Sequence, residues 1–85
     1  MMARVGTWQE VIGRFDGIDR SGEVPVIRLH DANKNEAFRI PMPKEYLMRK
    51  HDRELLSEDF IGKKIGVLVT ESPSEPLRIR EIAEA

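Results

Sequence analysis

The sequence predicts a mainly β domain with one helix, in which five strands form a small barrel in the order β-β-β-α-β-β. Five short apolar runs are bounded by turn residues, as expected for strands. The first three runs follow one another through short polar loops, which is typical of an antiparallel meander. One stretch of helix-forming residues without β-branched side chains lies between the third and fourth runs.

The first strand is expected over residues 8–18, which include Trp, Val, Ile and Phe. Gly13 and Gly17 interrupt this run, and a glycine inside a strand often marks a bulge or a sharp bend, as at a barrel corner. A turn over residues 19–22 follows, with residue types that favour turns.

The second and third strands are expected over residues 24–30 and 36–40, joined by a polar hairpin loop. Pro25 has no N–H to donate to a ladder, so we expect it at the start of its strand or on a sheet edge. The fourth and fifth strands are expected over residues 63–70 and 76–82, with a Pro/Ser loop between them.

The helix is expected over residues 44–56, after a proline-rich entry that suits a first helical turn. Helical spacing predicts that one face packs against the core through Leu47, Met48, His51 and Leu55. The same segment also fits two shorter turns that are broken near His51 and Asp52.

Length and charge limit the classes of function. The chain has 85 residues, of which 40% are apolar and 34% charged, and its formal net charge is −1. This length predicts a single domain over residues 1–85, with its core at about residues 8–82. The charged fraction is typical of heat-adapted or archaeal-type proteins. Because dedicated duplex binders are strongly basic, the charge disfavours tight non-specific duplex binding.

The chain contains no cysteine, which excludes disulfides, thiol nucleophiles and cysteine-ligated metals and fits a reducing cytosol. No segment has the apolar length of a signal peptide or of a transmembrane helix. We therefore expect a cytoplasmic protein that neither spans nor binds a membrane.

The order of the predicted elements resembles that of the OB-fold, the oligonucleotide/oligosaccharide-binding barrel. Over Trp8 to Ile82, three meandering strands, the first long and interrupted by glycines, precede a helix and a closing hairpin. The resemblance lies in element order, points to no particular OB family, and implies a binding face on a small barrel. A small Src-homology-type barrel is the nearest alternative.

A second resemblance covers less of the chain. Residues 39–41 and 43–45, a helix, and residues 62–67 look like the swapped-hairpin DNA-binding domain of transition-state regulators. The sequence departs from that pattern at Met42, which interrupts the motif with Pro43, and at Lys63, which replaces an acidic residue.

An arginine pattern is the main functional signal. Side chains alternate between the two faces of a strand, so inward-pointing apolar neighbours would direct five arginines outward: Arg14, Arg28, Arg39, Arg78 and Arg80. A guanidinium group suits phosphate because its planar fork donates two parallel hydrogen bonds. The alternative is a solvated face on which these arginines pair with Glu10, Asp16 or Glu81.

Few aromatic side chains are available for stacking. Single-strand binders stack bases on exposed rings, but the three phenylalanines fit a core better. Trp8 and Tyr46 are the candidate platforms.

No residue pattern predicts catalysis or a metal site. His30 and His51 have no further ligands at zinc spacing, and the acidic residues of the hairpins fit turns better than a calcium loop. We therefore expect neither an enzyme nor a bound metal or cofactor.

Two functions remain open. The first is a weak nucleic-acid-binding module that contacts single-stranded DNA or RNA through the five arginines and Trp8. The second is a protein-interaction or subunit module with no nucleic-acid role, which would use a strand edge or a patch around Leu68, Met42 and Met48.

Overall fold

The computed structural model describes residues 8–31, 33–70 and 76–83. Within these ranges the chain is mainly β, with five strands, one short α-helix and two 3-10 turns. The strands are β1 (Trp8–Asp19), β2 (Val26–Asp31), β3 (Glu36–Pro41), β4 (Lys64–Thr70) and β5 (Pro76–Glu81). The helix α1 (Lys50–Glu54) is flanked by 3-10 turns at Glu45–Leu47 and Glu58–Phe60. None of the helical segments in these ranges is long and apolar enough to cross a membrane.

The strands form one antiparallel sheet in the order β3-β2-β1-β4-β5. β1 is the central strand, because its first half pairs with β4 and its second half pairs with β2. β3 and β5 are the two edges, and in the described part of the chain they do not pair with each other. The sheet is therefore open, and the expected barrel is only partly supported.

β1 bends where the glycines predicted a bulge. Its register with β2 shifts between Phe15 and Ile18, and Gly17 within this interval has a φ of +100°, which L side chains rarely adopt. At Gly13 a Cβ atom would lie 3.0 Å from the backbone oxygen of His30, so β1 and β2 approach closely there. The bulge increases the local twist, and on its two sides the single strand β1 pairs with β4 and with β2.

The core lies between the inner face of the sheet and the segment of residues 42–60, which connects β3 to β4. The strands contribute most of the buried apolar side chains: Phe15, Ile27, Leu29, Ile40, Ile65, Val67, Val69 and Ile79. The connecting segment adds Met42, Leu55 and Leu56 from the other side.

The connecting segment differs from the predicted helix over residues 44–56. Its 3-10 turn ends in extended backbone at Met48 and Arg49, with ψ of 148° and 147°, before α1 begins. Because this break reorients the two halves, a single 3.6-residue period does not run through the segment. Of the predicted stripe, Leu55 is buried and Met48 is partly buried against the core, whereas Leu47 and His51 are exposed. The alternative of two shorter turns therefore describes the segment, with its break at Met48 and Arg49 rather than near His51 and Asp52.

The resemblance to transition-state regulators receives no support from the sheet. Residues 39–41 belong to the edge strand β3, and residues 64–67 belong to β4. β2 and β1 lie between these strands, so the two motif halves do not pair.

Candidate nucleic-acid interface

The five predicted arginines are all exposed, and their neighbours along the strands explain why. Phe15, Ile27, Leu29, Ile40 and Ile79 are buried in the core, so the alternation of side chains directs each adjacent arginine to the opposite side of the sheet. We call this side the outer face. The predicted outward orientation of Arg14, Arg28, Arg39, Arg78 and Arg80 is confirmed.

Arg28 and Arg39 lie directly opposite each other on β2 and β3. Directly opposed residues in an antiparallel pair have Cβ atoms about 4.5–5.5 Å apart, and like charges at that spacing are destabilising. Arg39 donates a hydrogen bond from Nη2 to Oδ2 of Asp19 at 2.8 Å. Arg28 has no hydrogen bond or ion pair with any other described residue. The pair is therefore only partly neutralised.

Asp19 is the residue that holds Arg39. Its Oδ1 also accepts hydrogen bonds from the backbone N–H and the hydroxyl of Ser21, at 2.9 and 2.6 Å. The hydrogen bond from Arg39, followed by those from Ser21, holds the pKa of the Asp19 carboxyl far below its ordinary value. Asp19 was not among the acidic partners expected from the sequence.

Arg14 belongs to a second group of polar side chains on the outer face. It is the register partner of His30 on β2 and of Lys64 on β4, so the three residues form one row across the sheet. Its Nη1 donates to the backbone oxygen of Gly62 at 2.9 Å. Sequence reasoning missed His30 and Lys64 as members of this surface, because their position depends on how β1 aligns with both neighbours.

Arg80 is held by Glu10 in a two-pronged ion pair. Nε and Nη2 of Arg80 donate to Oε2 and Oε1 of Glu10 at 2.7 and 2.8 Å. The contact lowers the pKa of the Glu10 carboxyl and raises that of the guanidinium. The pair passes over Gly66, where a Cβ atom would lie 2.6 Å from Oε2 of Glu10. For Arg80, therefore, the structure shows the alternative in which an outward arginine pairs with an acidic residue, here Glu10.

The other predicted site residues lie apart from the Arg28–Arg39 pair. Arg78 is the register partner of Leu68, on the far side of the sheet beyond β1 and β4. Trp8 begins β1, but its side chain lies outside the described part. Tyr46 is 75% exposed on the first 3-10 turn, which the ion pair between Arg20 and Glu45 ties to the β1–β2 loop.

The outer face thus carries two adjoining groups of hydrogen-bond donors rather than one stripe of five arginines. The first is the Arg28–Arg39 pair, and the second is the row of His30, Arg14 and Lys64. Within the described residues, no group of three His, Asp or Glu side chains is placed to hold a metal ion. No protein-family model, curated protein or solved structure matches this chain.

Proposed function

We propose that this protein is a non-enzymatic OB-like module that binds single-stranded nucleic acid weakly through the outer face of its sheet. The observation that carries the proposal is the direct opposition of Arg28 and Arg39 on adjacent strands. Two arginine side chains on directly opposed positions repel each other, and a phosphate placed between their guanidinium groups would relieve that repulsion through paired hydrogen bonds.

The architecture supports an OB-like assignment. β1 lies at the centre between β2 and β4, and the two edges of the sheet remain unpaired in the described part. An OB-fold is a five-stranded, partly open barrel whose ligand face includes its second and third strands. Here those strands carry Arg28 and Arg39.

Weak binding follows from the charge balance. The net charge of −1 provides no long-range attraction for nucleic acid. Asp19 and Glu10 already hold two of the arginines, and a phosphate must compete with these carboxylates. We therefore expect binding through the phosphates, with little sequence preference and a steep dependence on salt.

The test is the double variant Arg28→Glu with Arg39→Glu. Fluorescence anisotropy of a labelled single-stranded oligonucleotide, at low and then moderate salt, measures the affinity. We expect a loss of at least about tenfold and a shallower salt dependence, because fewer counterions are released when phosphate contacts are lost.

The matched control is Arg49→Glu with Lys50→Glu. These residues are exposed and lie on the segment that packs over the inner face, and the substitutions change the net charge by the same amount. The control should bind much more tightly than the outer-face variant. Equal losses in both variants, or unchanged affinity in the outer-face variant, would contradict the proposal.

A protein-interaction module is the second candidate, and one feature favours it. Tyr46 and Leu47 are adjacent large side chains that are 75% and 66% exposed. Of the patch predicted around Leu68, Met42 and Met48, Met42 is buried in the core and Met48 is partly buried against it, whereas Leu68 is half-buried on the outer face opposite Arg78. If Tyr46 and Leu47 mediate a contact between proteins, replacing both with serine should abolish concentration-dependent association in sedimentation. A wild-type chain that stays monomeric and captures no partner would count against this candidate.

A further inference from the structure

We infer that the depression around Arg14 is a subsite for the terminal phosphate of a nucleic-acid strand. This inference rests on the proposed function and adds to it the chemical group that the strand would present at its end. The depression has a volume of about 230 Å³ and lies on the outer face, where it is lined by Ile12, Gly13, Arg14, His30, Asp31, Asn33 and Lys64.

The row of His30, Arg14 and Lys64 lines this depression from three neighbouring strands. Arg14 and Lys64 also line the adjoining depression, where Nη1 of Arg14 donates to the backbone oxygen of Gly62. Neighbouring strands lie about 4.7–4.9 Å apart, so the row spans about 10 Å with Arg14 at its centre. Their imidazole, guanidinium and ammonium groups are all hydrogen-bond donors. One phosphate in the depression therefore lies within reach of side chains from β2, β1 and β4.

A terminal phosphate fits this group better than an internal one. A phosphomonoester carries a charge of about −1.5 to −2 near neutral pH and has three strong acceptor oxygens, whereas an internal phosphodiester carries a single charge. The second charge strengthens the attraction to Arg14 and Lys64, the two cations of the row. The difference gives the protein a physical basis for recognising a phosphorylated end.

Asp31 and Asn33 line the depression next to the β2–β3 loop. Oδ1 of Asp31 accepts hydrogen bonds from the backbone N–H groups of Asn33 and Lys34, at 3.0 and 3.4 Å. These bonds orient the carboxylate of Asp31 toward the backbone of its own loop.

The Arg28–Arg39 pair adjoins the row along β2. Arg28 and His30 lie on the same face of β2, two residues and about 6.8 Å apart. A strand that begins at the row of His30, Arg14 and Lys64 therefore passes the opposed arginines next. Glu81 and Lys63 line the neighbouring depression, which shares Arg14 and Lys64 with this one.

The experiment compares three oligonucleotides of one sequence, about ten nucleotides long, within the range that a single OB-type module binds. One carries a 5′-phosphate, one a 3′-phosphate and one only hydroxyl ends, and each competes with the same labelled strand. We expect one phosphorylated oligonucleotide to bind at least about fivefold more tightly than the hydroxyl form. The end that gives the gain identifies the polarity of the bound strand.

Two variants of Lys64 test whether the gain in affinity from the terminal phosphate arises in this depression, and one variant of Lys50 serves as a control. Lys64→Gln should remove most of it, whereas Lys64→Arg should retain it because the positive charge remains. Lys50→Gln makes the same charge change on α1 and should leave the gain intact. Circular dichroism of each variant checks that the sheet is preserved, and the arginine variant decides between a lost charge and a disturbed fold.

The outcomes separate the subsite from the proposed function. Equal affinity for all three oligonucleotides would overturn the subsite and leave single-strand binding in place. A gain that survives in Lys64→Gln would place the phosphate elsewhere and also overturn it. Absence of binding by every oligonucleotide at low salt would overturn the proposed function together with the subsite.

Discussion

Two carboxylates decide how much of the arginine charge is available on the outer face. Asp19 holds Arg39, and Glu10 holds Arg80. Both pairs are largely exposed to solvent, where the attraction between opposite charges is screened and an incoming phosphate can compete. If the outer face binds nucleic acid as proposed, Asp19 and Glu10 should lower ligand affinity more than they stabilise the fold.

Replacing Glu10 with glutamine tests this limit. The substitution removes the charge that holds Arg80, so we expect about two- to threefold tighter oligonucleotide binding and only a small loss of stability. Anisotropy measures the first and chemical denaturation the second. Glu23→Gln is the matched control, because Glu23 is exposed in the β1–β2 loop. Weaker binding of Glu10→Gln than of the control would show that Arg80 does not serve the outer face.

Alternation along β2 and β3 made the exposure of Arg28 and Arg39 predictable from the sequence. Their direct opposition was not predictable, because it depends on the register that joins the two strands. The membership of Lys64 in the outer face depends in the same way on the register between β1 and β4. The sequence thus predicts the face to which an individual side chain points, whereas it does not predict which residue lies opposite it on the neighbouring strand.

At the scale of elements, the bulge in β1 marks where the register between β1 and β2 shifts within the central strand of the sheet. Gly17 has a φ of +100° between the part of β1 that pairs with β4 and the residues that restart its pairing with β2. A glycine adopts this conformation readily, and other residues do so at a cost. The bend therefore belongs to the backbone at Gly17 rather than to the packing around it.

Gly17→Ala should lower the free energy of unfolding by roughly 1–2 kcal/mol, because the positive φ strains an L residue. The new Cβ would lie 3.5 Å from Cδ1 of Ile61, an ordinary contact, so crowding adds little. Urea denaturation measures the change. Gly22→Ala is the control, since no atom lies within 4 Å of its Cβ position. A similar loss of stability in both variants would argue against strain at Gly17.

The predicted strands and the observed strands agree closely, whereas the predicted helix does not. Residues 8–18 and Trp8–Asp19 differ by one position, because the apolar pattern and the turn residues mark the same boundaries. The helix was inferred from residue propensities over 44–56, but burial of Met42, Leu55 and Leu56 against the sheet determines the path of this segment. Packing outweighs propensity in a helix as short as Lys50–Glu54.

At the scale of the whole molecule, ion pairs join the central strand to both edges of the open sheet. Asp19 and Arg39 connect β1 to β3 across β2, and Glu10 and Arg80 connect β1 to β5 across β4. Arg20 and Glu45 connect the β1–β2 loop to the segment over the core. These contacts supplement the ladders at edges that no further strand covers in the described part.

Acid should weaken all three connections. The pKa values of the Glu10, Asp19 and Glu45 carboxyls lie below their ordinary values of 4.5, 3.8 and 4.5, chiefly because arginines donate hydrogen bonds to them. As the pH falls through those ordinary values, the unfolded chain takes up protons before the folded one does. The stability from these pairs is thus present above about pH 5 and is lost progressively at lower pH.

Thermal unfolding between pH 7 and pH 3 measures this loss. The variant with Glu10→Gln, Asp19→Asn and Glu45→Gln should lose less stability over the same range than the natural chain. Its melting temperature should be the lower of the two at neutral pH, and the two curves should converge in acid. Parallel curves would show that other carboxyl groups govern the acid response.

The sequence by itself determined the mainly β class, the strand positions, the bulge in β1 and the outward direction of five arginines. These properties follow from local patterns, namely alternation, turn residues and the backbone freedom of glycine. The tertiary structure decided that the sheet is open, that the helical segment breaks before α1, and that Asp19 and Glu10 hold two arginines. It also placed Arg28 opposite Arg39, because contacts between residues distant in sequence depend on register and packing, which local patterns do not specify.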